Sequence, residues 1–306
     1  MNIKKSSVCV LFSVLPFSAL ADINWYGSAN ISVESTDEGE GSFTQIKSNL
    51  TSIGFKGSEK LSSSFTAVYK FEMQLNPTDD SKDNVTARNQ YIGVKGAFGQ
   101  VVIGRNDTAL KQSQGKLDLF NNLTGDIKTV FDKVGENRLT DTISYSTHSY
   151  NGFKLLSTYK AKGSSEAKSG YSLALTYGDA LLKDSGSYFA IAHDNAINNF
   201  DTLRVSAQTK YNAFKFGAMY QTQETILGEQ KADGFLVNVA YLQGKNTFKV
   251  QYQTIDFENA DKPSGISLGV DHKFNKNGSV FAYYTGLDMD TNEDESALGV
   301  GLLYKF

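Results

Sequence analysis

Residues 23–34 read INWYGSANISVE, and taking every second residue divides this stretch into two different sets of side chains. The first set is apolar or small: Ile23, Trp25, Gly27, Ala29, Ile31 and Val33. The second set is polar: Asn24, Tyr26, Ser28, Asn30, Ser32 and Glu34. Strict alternation of this kind is the period of a β-strand whose two faces meet different environments. The stretch therefore predicts a strand with one oily face, and the fold depends on what that face contacts.

The first 21 residues have the layout of an export signal. Lys4 and Lys5 precede an apolar stretch, 8–20, that is too short to cross a membrane as a helix. Small residues at Ala19 and Ala21 mark a cleavage point, so we expect a cleaved leader at 1–21 and one domain at 22–306. The single cysteine, Cys9, falls in this leader, which excludes disulfides and thiol chemistry from the remainder.

The composition excludes several classes of protein. The formal net charge is −3, and no basic tail or basic run with interleaved aromatics is present, so nucleic acid is not an expected partner. No run of about 18 apolar residues exists to form a membrane helix. Yet the chain has 20 Phe and 16 Tyr but only 3 Pro, which is unusual for a soluble β-sandwich with many turns.

The alternation recurs along the whole chain, as at 66–75, 203–211, 248–253 and 298–306. Tight breaks, such as 149–152 and 211–214, take turns with longer polar breaks, such as 35–41 and 225–231. Counting strands between the breaks gives sixteen. Short turns at one end and longer loops at the other predict an all-β, antiparallel, up-and-down barrel of sixteen strands.

Sixteen strands enclose a lumen too wide for side chains to fill. We therefore expect the polar face to line water inside and the oily face to look outward, which is stable only in lipid. The expected interfacial belt is aromatic and lies beside the tight turns: Trp25, Phe55, Phe98, Phe153, Phe214, Phe248, Phe274, Phe281 and Phe306. A large soluble β-sandwich is the alternative, and it leaves this belt unexplained.

Short motifs in order along the chain carry a family resemblance. They are WYG at 25–27, IGFKGSE at 53–59, RNQYIGVKG at 88–96, GR at 104–105, YNGF at 150–153 and LLYKF at 302–306. Together they resemble the general diffusion porins, trimeric outer-membrane channels of Gram-negative bacteria. The resemblance implies passive passage of ions and small hydrophilic solutes, a homotrimer, contact with lipid and lipopolysaccharide, and no cofactor. The closing Tyr304 and Phe306 resemble the tag read by the outer-membrane insertion machinery.

The same resemblance implies a pore constriction. The third external loop, expected at 106–137, would fold into the lumen and carry Asp118, Asn122 and Asp126, where Asn122 stands in place of a family carboxylate. Arg88 and Arg138 match two rungs of an arginine ladder on the opposite wall. Cations on the wall and carboxylates on the loop would then set up a transverse field.

Strand parity adds further candidates. It places Lys70 and Glu72 at the constriction and directs Lys154, Lys160, Arg204, Lys210 and Lys249 into the lumen. Two stretches break the pattern. Gln45, Lys47 and Asn49 share parity with Ile53 and Phe55, which a trimer contact would explain, and Asp141 shares the outward parity of Leu139 and Ile143.

Other functions were weighed against the channel. A substrate-specific channel, such as a sugar porin, is the main alternative, although inward positions are mostly Lys, Gln, Ser and Thr and form no aromatic track. No nucleophile elbow, HExxH motif or P-loop supports an enzyme. The acidic stretch DMDTNEDE at 288–295 lacks the central glycine of a calcium loop, so we expect a solvated loop and no metal.

Overall fold

The computed structural model describes residues 23–79, 84–166, 168–258, 262–289 and 294–306. The expected leader at 1–21 lies outside these residues, as does part of the acidic stretch 288–295. The described chain is almost entirely β-structure. Seventeen strand segments are present: β1 (Asn24–Asp37), β2 (Ser42–Ser48), β3 (Thr51–Lys60), β4 (Thr66–Leu75), β5 (Val85–Gly96), β6 (Gly99–Asp107), β7 (Arg138–Ser146), β8 (Phe153–Lys160), β9 (Gly170–Gly178), β10 (Ser187–Ile197), β11 (Phe200–Tyr211), β12 (Phe214–Thr225), β13 (Lys231–Gln243), β14 (Asn246–Phe257), β15 (Ser264–Lys273), β16 (Gly278–Asp288) and β17 (Glu295–Lys305).

These segments form one closed antiparallel sheet. β2 and β3 both pair with β1, every other strand pairs with its neighbours in sequence, and β1 pairs with β17 to close the ring. The last residue completes the closure, because the Phe306 N–H donates to the Gly27 carbonyl at 3.1 Å and the Gly27 N–H donates to the Phe306 carbonyl at 3.0 Å. A closed ring leaves no open sheet edge at this seam, as a barrel in lipid requires.

β2 and β3 are two halves of one barrel strand, so the barrel has sixteen strands. Both halves pair with β1, and the break falls at Leu50, whose φ is 87°. The break shifts the parity by one residue: Lys47 lies opposite inward Ser32, whereas Phe55 lies opposite outward Trp25. The poor alternation of this strand therefore comes from an irregular backbone, and the trimer contact suggested by the sequence is not needed to explain it.

The two faces of the sheet differ as the alternation predicts. In β9, Ser172, Ala174 and Thr176 are buried on the inner side, while Leu173 and Leu175 are exposed on the outer side. Trp25 and Phe306 are 67% and 61% exposed on the outer face. The apolar residues of this barrel thus look outward.

Phe281 is the exception to the expected aromatic belt. Its side chain points inward, is buried and packs in a cluster with Phe120 and Tyr283. The prediction that placed Phe281 in the belt was wrong, because this inner position is covered by another part of the chain.

Asp141 also has a local explanation. The register between β6 and β7 shifts between Gly104 and Asn106, and Asp141 takes the left-handed conformation with φ of 56°. This bulge resets the parity, so Leu139 is buried while Ile143 is exposed. The Asp141 carboxylate lies 3.5 Å from the Lys160 ammonium.

The connection 108–137 between β6 and β7 contains both short helices, α1 (Ala109–Ser113) and α2 (Ile127–Val130). It makes hydrogen bonds with inner-face side chains of β10, β11, β13 and β14 and therefore lies inside the barrel. No helix among the described residues has the length and apolar character needed to span a membrane.

Candidate functional site: the pore constriction

Wall residues of β4 and β5 converge at a second bulge. The register between these strands shifts between Phe71 and Met73, so the inward Glu72 meets Arg88. The Glu72 carboxylate lies 2.6 Å from Arg88 Nε and 3.1 Å from Lys70 Nζ. It also accepts a hydrogen bond of 2.8 Å from the Tyr26 hydroxyl. The charge of Glu72 is therefore balanced by Arg88 and Lys70, and this part of the wall keeps a net positive charge.

Arg138 continues this wall at the start of β7. Its Nε lies 3.0 Å from Asp107 Oδ1 and donates to Asn89 Oδ1 at 2.8 Å. The side chains of Arg88 and Arg138 keep 17% and 14% of their surface exposed, so both remain accessible to the lumen.

The loop 108–137 is attached to the opposite wall by apolar packing. Leu110 packs against Leu156 and Ala174, and Phe120 packs against Phe281. The largest cluster joins loop residues Leu117, Ile127, Val130 and Phe131 to wall residues Met219, Ala232, Leu236, Ile255 and Leu287. Burial of each large side chain stabilises the docked loop by about 2 kcal/mol.

Asp118 lies between the loop and the wall and does not face the open lumen. It accepts hydrogen bonds from Phe120 N at 2.9 Å, Ile127 N at 3.0 Å and Gln251 Nε2 at 3.0 Å. Burial and the neighbouring Asp126 carboxylate raise the pKa of Asp118 to about 7, against the effect of these three donors.

Asp126 is likewise occupied within the loop. It caps α2 by accepting from Lys128 N at 2.9 Å, and it accepts from Asn122 N at 2.6 Å. Asn122, in the left-handed conformation with φ of 70°, borders the open side of the loop, as does the largely buried Asp126. Both loop carboxylates are therefore held by backbone donors inside the loop, and Asp126 is also paired with Lys128 at 3.2 Å, so neither projects freely into the lumen toward the wall cations.

Lysines take the place of these carboxylates on the open side of the loop. Lys111, Lys128 and Lys133 border a solvent-filled space of about 590 Å³ together with Arg88, Arg138 and Lys47. Four acids border the same space. Asp126 pairs with Lys128 at 3.2 Å and Glu136 pairs with Arg204 at 2.8 Å, and the other two are Glu38 and Glu295. Burial lowers the pKa of Lys111, although Glu136 and Asp107 oppose this shift. The sequence did not predict these lysines, because an irregular loop has no strand pairing from which the direction of its side chains follows.

Two of the expected lumen-facing cations lie under the loop. The Arg204 side chain is fully buried and donates to Gln221 Oε1 at 2.7 Å and to Glu136 Oε1 at 2.8 Å. Lys249 lies 2.9 Å from Asp271 and donates to the Leu119 carbonyl at 3.2 Å. Parity predicts their inward direction, but the covering loop removes both from open solvent. Lys154, Lys160 and Lys210 lie on the inner face and keep exposed surface.

Comparison with known proteins places this geometry in a family. The family described as Gram-negative porin matches residues 6–294, and the chain belongs to it. The major outer membrane protein P.IB of Neisseria meningitidis serogroup A is 25% identical over 345 residues, covering 99% of this chain and 100% of the relative. The corresponding protein of Neisseria sicca is 22% identical over 363 residues, with the same coverage.

Solved structures share the fold. An anion-selective porin from Comamonas acidovorans superimposes with a TM-score of 0.79 at 17% identity, covering 94% of this chain and 100% of that porin. Salmonella typhi OmpF, in complex with daunomycin, gives a TM-score of 0.76 at 18% identity, covering 94% of this chain and 98% of that one. The protein is an outer-membrane channel of a Gram-negative bacterium through which solutes diffuse passively.

Proposed function

We propose that the chain is a general diffusion pore that favours anions, with its narrowest section between the loop 108–137 and strands β4, β5 and β7. The observation that carries this proposal is the charge on both sides of the aperture. Lys111, Lys128 and Lys133 on the loop face Arg88 and Arg138 on the wall. A narrow aqueous section with cations on both sides attracts anions and repels cations.

The lining of the aperture supports a general pore over a sugar-specific one. None of the described residues that border the solvent-filled space is aromatic. The lining is mainly polar and charged, with Leu50 and Leu123 its apolar members, and offers a sugar ring no aromatic surface on which to stack. Selection by size and charge then requires no saturable site in this section.

We also propose partners that follow from the outer surface and the family. The exposed apolar face would contact lipid and lipopolysaccharide, and Tyr304 and Phe306 would be read by the insertion machinery after export with leader 1–21. A homotrimer is supported by the solved trimer form of Vibrio cholerae OmpT, which has a TM-score of 0.73. No catalytic role and no metal are part of this proposal.

The zero-current potential across a potassium chloride gradient tests the preference for anions. The purified protein in planar lipid should give the sign expected for chloride permeating faster than potassium. Lys128→Gln with Lys133→Gln should shift the potential toward potassium, because the loop then loses two exposed cations that border the aperture. Lys162→Gln with Lys168→Gln, in the loop between β8 and β9, is the matched control. A wild-type preference for potassium, or equal shifts in both pairs, would contradict the proposal.

A further inference from the structure

A second group of lysines lies on the inner wall, at the end of the barrel that carries the short turns. Lys210 on β11 and Lys215 on β12 are directly opposite each other across the hairpin. Both are on the inner face, since Lys210 follows the inward residues Ser206 and Gln208, and Lys215 precedes inward Gly217 and Met219. Like charges placed directly opposite in a sheet destabilise it unless something neutralises them.

A third lysine, Lys116, belongs to the part of the loop that is bound to the wall beside this hairpin. Lys116 is exposed, and the following residue, Leu117, accepts a hydrogen bond of 2.7 Å through its carbonyl from Asn238 Nδ2. Asn238 lies opposite Gly217, two residues from Lys215. The loop backbone next to Lys116 is thus fixed to β13 at the position opposite Gly217, two residues along β12 from Lys215.

No described carboxylate lies within 4.0 Å of the amines of Lys116, Lys210 or Lys215. Lys249, which lies two strands further along the sheet at the same level, does have an acid partner. Lys215 lies opposite Ala240, and Ala240 lies opposite Lys249, whose ammonium is 2.9 Å from Asp271. Lys249 is therefore neutralised by the protein, whereas the three other lysines have no described acid to neutralise them.

We propose that Lys116, Lys210 and Lys215 form a subsite for small oligophosphate solutes in the vestibule below the constriction. Lysine binds phosphate as a point charge, and a solute with several linked phosphates offers each of the three ammonium groups an anionic partner, which a single phosphate does less well. The concave, low-dielectric wall concentrates their field in the lumen. The subsite rests on the proposed function in one respect: anions must be able to enter the vestibule through the pore.

Block of the chloride current by inorganic tripolyphosphate tests the subsite. The full protein in planar lipid is used at about 0.1 M salt, where charges are screened beyond about 10 Å. Wild-type current should fall saturably as tripolyphosphate is added, and orthophosphate should block far more weakly. Lys210→Gln with Lys215→Gln should raise the half-blocking concentration about tenfold. The single substitutions should each give part of this increase, so the test does not depend on one variant.

The matched control is Lys245→Gln with Lys276→Gln, which removes the same charge from two exposed short turns at the same end. It should change the half-blocking concentration by less than about twofold. Absence of saturable block, equal block by orthophosphate, or equal effects of the two double variants would overturn the subsite. The zero-current potential without phosphate is read separately, so failure of the anion preference is distinguished from failure of the subsite.

Discussion

Arg88 and Arg138 combine a fixed position with an accessible charge. Each guanidinium has an acid partner, Glu72 for Arg88 and Asp107 for Arg138, which holds the side chain in place. Partial pairing leaves part of each guanidinium facing solvent, where a passing ion can meet it. These two side chains are therefore the residues through which the wall would favour anions over cations.

Replacing both arginines should move the pore toward cations. In water, one charge contributes about 0.5 kcal/mol to an ion roughly 8 Å away, so Arg88→Ala with Arg138→Ala removes about 1 kcal/mol of attraction for chloride and the same repulsion of potassium. Screening at about 0.1 M salt roughly halves both effects, so the chloride-to-potassium ratio should change about fivefold. Removal of Arg88 also frees part of the Glu72 carboxylate, which acts in the same direction. The zero-current potential in a potassium chloride gradient measures the change.

A control for this pair is Lys231→Ala with Lys262→Ala, at the outer loops between β12 and β13 and between β14 and β15. These variants remove the same charge away from the aperture and should leave the ratio nearly unchanged. If the arginine pair produced no larger shift than this control, neither arginine would belong to the constriction.

The loop 108–137 is fixed to the inner wall of the barrel by apolar packing and by an ion pair. Arg204 and Glu136 form its buried ion pair, in which burial raises the pKa of Glu136 although Arg204 opposes the rise. Breaking a buried pair leaves one uncompensated charge and costs about 3–5 kcal/mol. Arg204→Gln should therefore increase local opening of the loop, seen as faster amide hydrogen exchange across 108–137.

Glu136→Gln completes a double-mutant cycle for this pair. The double variant should lose less loop protection than the sum of the single variants, because no unpaired charge remains. Additive losses would show that the two side chains stabilise the loop independently.

The loop should also be held more firmly in acid. Asp118 has a pKa raised to about 7 by burial, so its docked carboxyl keeps its proton while the undocked one ionises above about pH 4. The stabilisation is full below pH 4 and is lost as the pH rises through 7. Amide exchange of the loop, corrected for the intrinsic effect of pH, should show this loss.

Asp118→Asn should weaken that pH dependence, because the side chain no longer titrates. Glu136, whose pKa is also raised, contributes with the same sign and should leave a smaller residual dependence. Loop protection that rises with pH in the wild type would contradict this assignment.

Alternation predicted the direction of most strand residues but failed at backbone irregularities. The parity shifts at Leu50 and near Asp141 depend on left-handed residues and bulges, which a two-residue period cannot represent. The position where the loop packs on the wall could have been predicted from the sequence of the strands. Inward positions such as Leu156, Met219 and Ile255 are apolar in a face that is otherwise polar, and these are the positions the loop covers.

The site was less predictable than the fold. Parity could not indicate that Arg204 and Lys249 lie beneath the loop, since it describes a strand without the chain packed on it. The fate of Asp118 and Asp126 depended on backbone donors inside an irregular loop, which have no periodic pattern. Because the irregular loop has no periodic pattern, the sequence could not predict which of its charged side chains border the open lumen.

At the scale of the whole molecule, the loop divides the lumen into two unequal parts. One side, along β8 to β16, is filled by apolar clusters and buried polar side chains. The other side, along β1, β2, β4, β5, β7 and the start of β17, keeps the solvent-filled space bordered by Arg88 and Arg138. Ions should therefore pass on one side of the loop only.

Cysteine accessibility tests this division most directly, because the described residues contain no cysteine. Asn122→Cys lies on the open side of the loop, whereas Ser206→Cys lies on the inner wall beneath it. A membrane-impermeant thiol reagent should reduce the single-channel current of Asn122→Cys rapidly and leave that of Ser206→Cys nearly unchanged. Equally rapid modification of Ser206→Cys would contradict the account, since water would then run on both sides of the loop.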